Sequence, residues 1–408
     1  MKKIIFAFCL WFLAQNLIAQ SAESDLQDLK VDVVYLASNL LEGRETGKTG
    51  EILAAQYIAS RFEEIGLKPK GREGSWFQPF DFNYKSNPHV DDGEPRTGRN
   101  VVGFLDNGAA TTVVIGAHYD HLGHGIFGSL YTGEPAIHNG ADDNASGVAA
   151  LVLIAKRLKN SRAKQNNYLF IAFSGEELGL YGSKYFVNNP TVDLSTVNYM
   201  LNMDMVGRLN EDKTLAVNGV GTSPVWKEEL ARMENSGLKI KTSESGIGPS
   251  DHTSFYLEDI PVLHFFTGQH SDYHKPSDDS ELINYEGLLT ISNFLINLVE
   301  QLDDDGKLVF TKTKDADKGK EAANFKVTLG IMPDYMSDIE GLRIDGVKED
   351  HPAAKAGMKK GDIIVQMGAL KVKDIYDYME GLGKYKKGDR VLVKVKREEK
   401  VLELEVEF

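Results

Sequence analysis

Between Asn100 and Leu302 the chain alternates short apolar runs with amphipathic stretches, and that alternation restricts the fold more than any other feature. Val101–Leu105, Thr112–Ile115, Tyr168–Phe173, Asn198–Asn202, Leu215–Val217 and Pro261–Phe265 read as buried strands. Helical periodicity falls between them at Gly147–Lys159, Leu180–Asn188, Pro224–Asn235 and Asn284–Leu302. Strands separated by helices in this way predict an α/β class fold, a mostly parallel, doubly wound sheet covered on both faces. Upstream, Ser24–Leu67 is helical in two pieces separated by Gly43-Arg44-Glu45-Thr46-Gly47. Lys68–Arg99, with its scattered aromatics, reads as strands and loops at a sheet edge.

Such a sheet binds ligands beyond the C-terminal ends of its strands. Residues able to hold a metal recur at those ends. His118 and Asp120 follow one strand, Asp142-Asp143 precede the next helix, and Glu176-Glu177 follow Tyr168–Phe173. Asp204 follows another strand, and His274 comes after the last. Taken singly, a histidine is usually structural and Asp-Asp before a helix usually caps it. Taken together, His118, Asp142, Glu177, Asp204 and His274 can converge on one sheet edge. Two histidines and three carboxylates suit two divalent cations, zinc or a similar ion, sharing one bridging carboxylate.

Composition removes other classes. The formal net charge of −14 argues against a basic face for nucleic acid. The start, Lys2-Lys3 followed by Ile4–Leu13 and then Ala19-Gln20-Ser21, resembles a secretory leader, so an exported, periplasmic or secreted protein is expected. Cys9 lies within that leader, so thiolate ligands and disulfides are not expected in the mature chain.

The motifs His-x-Asp, Gly-Ala-Asp-Asp-Asn-Ala-Ser-Gly, Gly-Glu-Glu-x-Gly-Leu-x-Gly-Ser, Asn-x-Asp-Met and the His274-Lys275-Pro276-Ser277-Asp278 segment, in this order, resemble the co-catalytic zinc aminopeptidases of metallopeptidase family twenty-eight. The resemblance covers roughly residues 30–300 and includes the bacterial leucyl-type aminopeptidases. It implies a zinc exopeptidase fold of the phosphorylase/hydrolase-like kind and two Zn²⁺ per chain. It makes Asp142 the bridge, with His118 and Asp204 completing one site and Glu177 and His274 the other. Glu176 becomes the general base, Asp120 the carboxylate orienting His118, and Asp278 a similar partner for His274. The resemblance further implies a cis peptide between Asp142 and Asp143, and matches Asp251, His252 and Phe255 to a segment lining the substrate pocket. Lys275 is expected to point outward.

After Leu302 the composition changes. The expected organisation is a leader at 1–20, a zinc exopeptidase domain at 21–302, a linker at 303–323 and a small, mostly-β domain at 324–408. Leu329-Gly330-Ile331, His351-Pro352-Ala353-Ala354 and Lys360-Gly361-Asp362 resemble a PDZ domain of the bacterial protease type. That resemblance implies that Leu329, Gly330 and Ile331 receive a peptide carboxylate and that a strand edge accepts an extended peptide. The functional expectation is an aminopeptidase acting on peptide substrates. A carboxypeptidase of the same fold, a glutaminyl cyclase and a non-catalytic PDZ scaffold are the competing readings.

Overall fold

The computed structural model describes residues 22–84, 93–313, 327–333, 339–347, 351–373, 375–398 and 400–408. The expected leader therefore lies outside the described residues. No helix among those described is long and apolar enough to cross a membrane.

The first domain is built on a nine-stranded sheet. It opens with α1 (22–36) and α2 (Thr49–Ile65), followed by the short β1 (Lys68–Pro69), β2 (Phe77–Tyr84) and β3 (Glu94–Leu105). Next come β4 (Thr111–His118), α3 (Gly147–Asn160), β5 (Asn166–Phe173), α4 (Tyr181–Asn188) and β6 (Val197–Met203). The remainder is β7 (Thr214–Asn218), α5 (Val225–Arg232), β8 (Lys239–Ser243), α6 (His252–Tyr256), β9 (Val262–Phe266) and α7 (Tyr285–Gln301).

Across the sheet the order is β1-β3-β5-β4-β6-β9-β7-β8, with β2 also pairing with β3. The central four strands, β5, β4, β6 and β9, are parallel. All eight residues of β5 are buried, as expected for a strand covered on both faces. Successive side chains alternate between two cores: Tyr168, Phe170 and Ala172 join the helices α1, α2, α3 and α7, whereas Leu169, Ile171 and Phe173 pack with α4 and α6. The chain leaves β4 through α3 to β5 on one side, then crosses through α4 to β6 on the other. The C-terminal end of β4 is thus the switch point of the sheet, where a crevice opens.

One strand has no counterpart in the sequence reading. β8 lies at the sheet edge, parallel to β7, and its residues Lys239, Thr242 and Ser243 are exposed. The expected linker also begins later than its composition suggests. Leu308 is buried, its N–H donates to Asn198 Oδ1 at 2.7 Å, and Thr311 N–H donates to Thr222 O at 2.8 Å. Thr313 Oγ1 meets the Tyr256 hydroxyl at 2.8 Å, so the segment up to Thr313 belongs to the first domain's surface.

The second domain has its own core, including Leu329, Ile344, Met367, Tyr378 and Val393. It comprises β10 (Ile331–Pro333), β11 (Leu342–Val347), α8 (Pro352–Lys355), β12 (Ile363–Met367), β13 (Leu370–Lys371), α9 (Ile375–Gly383), β14 (Arg390–Arg397) and β15 (Lys400–Glu407). Its sheet runs β10-β11-β12-β14-β15, with β13 beside β12. Gly330 has φ 72°, and Leu329 O accepts from Ala353 N–H at 2.9 Å, which ties the Leu329-Gly330-Ile331 turn to α8. Asp362, buried, receives two bonds from the Arg397 guanidinium, at 2.7 and 2.8 Å.

Candidate metal centre

Each end of the parallel strands delivers one piece of the site. His118 is the last residue of β4, Glu176 and Glu177 follow β5, Asp204 follows β6, and His274 lies in the loop after β9. His118 Nδ1 is 3.2 Å from Asp120 O and His274 Nδ1 is 2.9 Å from Gly128 O. A carbonyl only accepts, so both Nδ1 atoms donate, and in the neutral ring, the form that binds a metal, each Nε2 presents a lone pair.

Those lone pairs face carboxylates. His118 Nε2 lies 3.3 Å from both Asp143 Oδ1 and Asp204 Oδ1. His274 Nε2 lies 3.2 Å from both Asp143 Oδ2 and Glu177 Oε2. Lone pair against carboxylate is repulsive unless a proton or cation stands between them. With ligand bonds of about 2.0 Å, a tetrahedral ion separates its ligand atoms by about 3.3 Å, the spacing found at all four contacts. The donor set of nitrogen and oxygen therefore fits a zinc-like ion, and the two oxygens of Asp143 face the two clusters.

This arrangement corrects the expected bridge. Asp142 is turned away: its Oδ1 accepts from Gly207 N–H at 2.6 Å and Ser146 Oγ at 3.1 Å, and its Oδ2 faces His270 Nε2 at 3.1 Å. The cis peptide likewise lies between Asp143 and Asn144 and not one residue earlier. Asp278 is not the partner of His274, whose Nδ1 is satisfied by Gly128. It instead accepts from the backbone N–H groups of Asp142 and Asp143, at 3.0 and 3.1 Å. Asp120 does lie beside His118, with Oδ1 3.7 Å from Nδ1, and that same oxygen accepts from Glu176 N–H at 3.2 Å. Lys275 points outward, donating to Ser271 O.

Charge in this crevice is unbalanced toward carboxylate. Burial disfavours the charged form of Asp143, yet His118 and His274 outweigh it and hold the carboxyl well below its usual range. Burial opposes ionisation of Glu177 too, but His274 and its other partners bring it down to about 2. Glu176 goes the other way, driven well up by burial together with Asp204, Glu177 and Asp251, against the pull of His118. Burial likewise opposes the charged forms of His118 and His274, and the surrounding carboxylates raise both well above the usual imidazole range.

The site opens into a small cavity of about 80 Å³, bounded by Met205, Phe266 and Tyr273 on its apolar side and by Asn218, His264 and Gln269 on its polar side. A larger cavity of about 490 Å³, lined by Asp25, Lys156 and Glu300, lies between helices α1, α3 and α7 and holds none of the strand-end residues. Asp251, His252 and Phe255, expected at the substrate pocket, lie behind it. Phe255 is a core residue 5.8 Å from the ring of Phe186, and His252 stacks on His264 at 4.4 Å, fully buried. Ser250-Asp251-His252 starts a short helix whose Phe255 and Tyr256 face the core, while Asp251, fully buried, acts on Glu176 by its charge without lining the cavity.

Arg44 was legible only as part of a helix break. Fully buried, it donates to the carbonyls of Tyr119, Asn139 and Gly140 at 2.6, 2.6 and 2.9 Å, and also to Leu36 O. Its own carbonyl accepts from His121 N–H, and the neighbouring Thr46 hydroxyl donates to Asp120 Oδ2 at 2.9 Å. One segment thus braces two of the loops that carry candidate ligands, the one after His118 and the one before Asp143. Positive φ at the non-glycine residues Arg44 (50°), Met205 (51°) and His274 (54°) places some of the chain's backbone strain beside this crevice.

Residues 100–299 match peptidase family M28 and residues 312–408 match a PDZ domain. The chain carries a peptidase family M28 domain. Aminopeptidase YwaD of Bacillus subtilis is 32% identical over 188 residues, covering 43% of this chain and 38% of that protein. The match thus spans well under two thirds of that relative's length. Among solved structures, BSAP, a zinc aminopeptidase from Bacillus subtilis, superposes with a TM-score of 0.54 at 19% identity, over 68% of this chain and 95% of that one. Porphyromonas gingivalis glutaminyl cyclase does so with a TM-score of 0.53 at 17% identity, over 69% and 98%. A peptidase and a cyclase share this fold, so likeness of fold alone does not choose between their reactions.

Proposed function

We propose that the protein is a two-zinc exopeptidase, an aminopeptidase that releases N-terminal residues from peptides. The observation that carries this is the sharing of Asp143, one oxygen toward His118 and Asp204, the other toward Glu177 and His274. Zinc bound at the two clusters would polarise the scissile carbonyl and lower the pKa of the attacking water.

Glu176 is the residue left to move the proton. It takes the proton from the attacking water and returns it to the leaving amine, while Asp120 holds its backbone N–H in place. Adjacent carboxyls driven in opposite directions are the pattern by which one becomes a charged ligand and the other a proton carrier.

Met205, Phe266 and Tyr273 suit an apolar side chain on the N-terminal residue, and the cavity has room for one. Gln269 Oε1 is buried without a hydrogen-bond partner among the described residues, and it supplies an acceptor for the substrate's free amine. Among the described residues lining the cavity none is Arg or Lys, which favours amine over carboxylate recognition and so an aminopeptidase over a carboxypeptidase. In the PDZ domain, β10 is the end strand of its sheet among the described residues, so its outer edge beside Leu329-Gly330-Ile331 would take an extended peptide or protein C-terminus. The lysine-led apolar start supports export to the periplasm or beyond.

The test is hydrolysis of aminoacyl-p-nitroanilides and their N-acetylated counterparts, with zinc content measured in parallel. Cleavage of free-amine substrates alone, with about two zinc ions per chain as such a site holds, supports the proposal. Cleavage of N-acetylated substrates, or release only of C-terminal residues, overturns it.

A further inference from the structure

A third histidine touches the site in a different way. His121 Nδ1 lies 2.8 Å from Glu177 Oε1, the oxygen opposite to the one facing His274. That spacing is shorter than the 3.2–3.3 Å of the four lone-pair contacts and is the length of a charge-assisted hydrogen bond. Asp143 Oδ2 is 3.8 Å from the same nitrogen, too far for a hydrogen bond. His121 Nε2 is buried with no partner among the described residues. An orphaned N–H is costlier and rarer than an orphaned lone pair, so the proton belongs on Nδ1.

The ring has a place prepared for it. Gly140 has φ 56°, and a Cβ there would lie 2.5 Å from His121 Cδ2. The His121 backbone N–H is held by Arg44 O, and the ring meets His274 edge-on at 5.7 Å. Imidazole, carboxylate and imidazole thus form a row: His121, Glu177, His274.

Resting on the two-zinc reading, we propose that His121 is a positioning residue for the second metal site, donating Nδ1–H to Glu177 Oε1 so that Oε2 alone is directed to the ion. It is not itself a ligand. The donated bond fixes the carboxylate's rotation, a condition that governs affinity at a carboxylate-bound site.

The experiment is zinc titration against a competing chelator on the full chain, for wild type, His121→Phe and His121→Asn. Phe fills the ring's space without a donor. Asn restores an N–H near the Nδ1 position without an imidazole. The expected result is that His121→Phe weakens one of two sites by about 10–100-fold and leaves the other unchanged, while His121→Asn stays within about threefold of wild type. Wild-type tight binding of two ions that persists in His121→Phe overturns the role of His121 alone. Equal loss of the site in both variants overturns it in favour of direct ligation. A wild type that binds no zinc overturns the two-zinc reading itself. Nitrogen NMR of isotope-labelled histidine in the zinc-loaded wild type needs no variant: a proton bonded to His121 Nδ1 agrees with the proposal, and a zinc-bound, proton-free Nδ1 contradicts it.

Discussion

Glu176 and Glu177 are neighbours in the chain whose carboxyls are pushed in opposite directions, Glu176 up and Glu177 down to about 2. The difference arises beyond the backbone. Glu177 has His121 on one oxygen and His274 on the other, whereas Glu176 feels the carboxylates of Asp204, Glu177 and Asp251 against the single pull of His118.

This pair should separate chemistry from metal binding. Glu176→Gln is expected to lower kcat by about 100–10,000-fold with zinc content unchanged, and Glu177→Gln to lose one zinc. Turnover and metal analysis on the same preparations check both, and a fully active Glu176→Gln would remove Glu176 from the reaction.

Asp142 and Asp143 offer a sharper contrast. Asp143→Ala is expected to empty both clusters, because each oxygen serves one of them. Asp142→Asn, which keeps an acceptor for Gly207 N–H, is expected to retain both ions. Metal stoichiometry after dialysis distinguishes them.

Arg44 joins Leu36, Tyr119, Asn139 and Gly140 through one guanidinium. Arg44→Met would leave the Leu36, Tyr119 and Asn139 carbonyls without this donor, whereas Gly140 O keeps the Ala145 N–H at 3.2 Å; the cost is at least about 3 kcal/mol given roughly 1–3 kcal/mol for each buried group left without a partner. Lys, with no planar fork, should recover only part of the loss. Urea unfolding of the three proteins supplies the comparison.

Glu51, fully buried in α2, accepts from the Tyr119 and Ser174 hydroxyls at 2.7 and 3.0 Å. Burial pushes its carboxyl from 4.5 up to about 7, partly offset by Arg99. Below pH 4.5 both folded and unfolded chains hold the proton; between there and pH 7 only the folded chain does. The stability Glu51 contributes is therefore full below 4.5 and lost as pH rises through about 7. The shift corresponds to about 3 kcal/mol. Relative to wild type, Glu51→Gln should gain stability across this window and level off above it, as read from unfolding curves at several pH values.

The central sheet was legible because strands covered on both faces must be apolar throughout, as in Tyr168–Phe173. Edge strand β8 carries Lys239, Thr242 and Ser243 toward solvent and leaves no such trace. The strand-end cluster of histidines and carboxylates was legible, with the structure turning Asp143 rather than Asp142 into it. Between two adjacent aspartates, only the path of the backbone into α3 decides which carboxylate turns to the crevice, and composition is the same for either. Tyr273 and Gln269 come from an irregular loop with no period to reveal them. Arg44 showed no signal because its acceptors are main-chain carbonyls, which no side-chain pattern records.

The brace formed by Arg44 and Thr46 lies outside residues 100–299, and so do Glu51, β2 and most of α2's contact with the sheet. A fragment trimmed to the family's boundaries would cut through β3 and strip the floor from beneath His118 and Asp143. The unit that folds, and that any expression or domain-transplant experiment has to preserve, reaches back at least to α1.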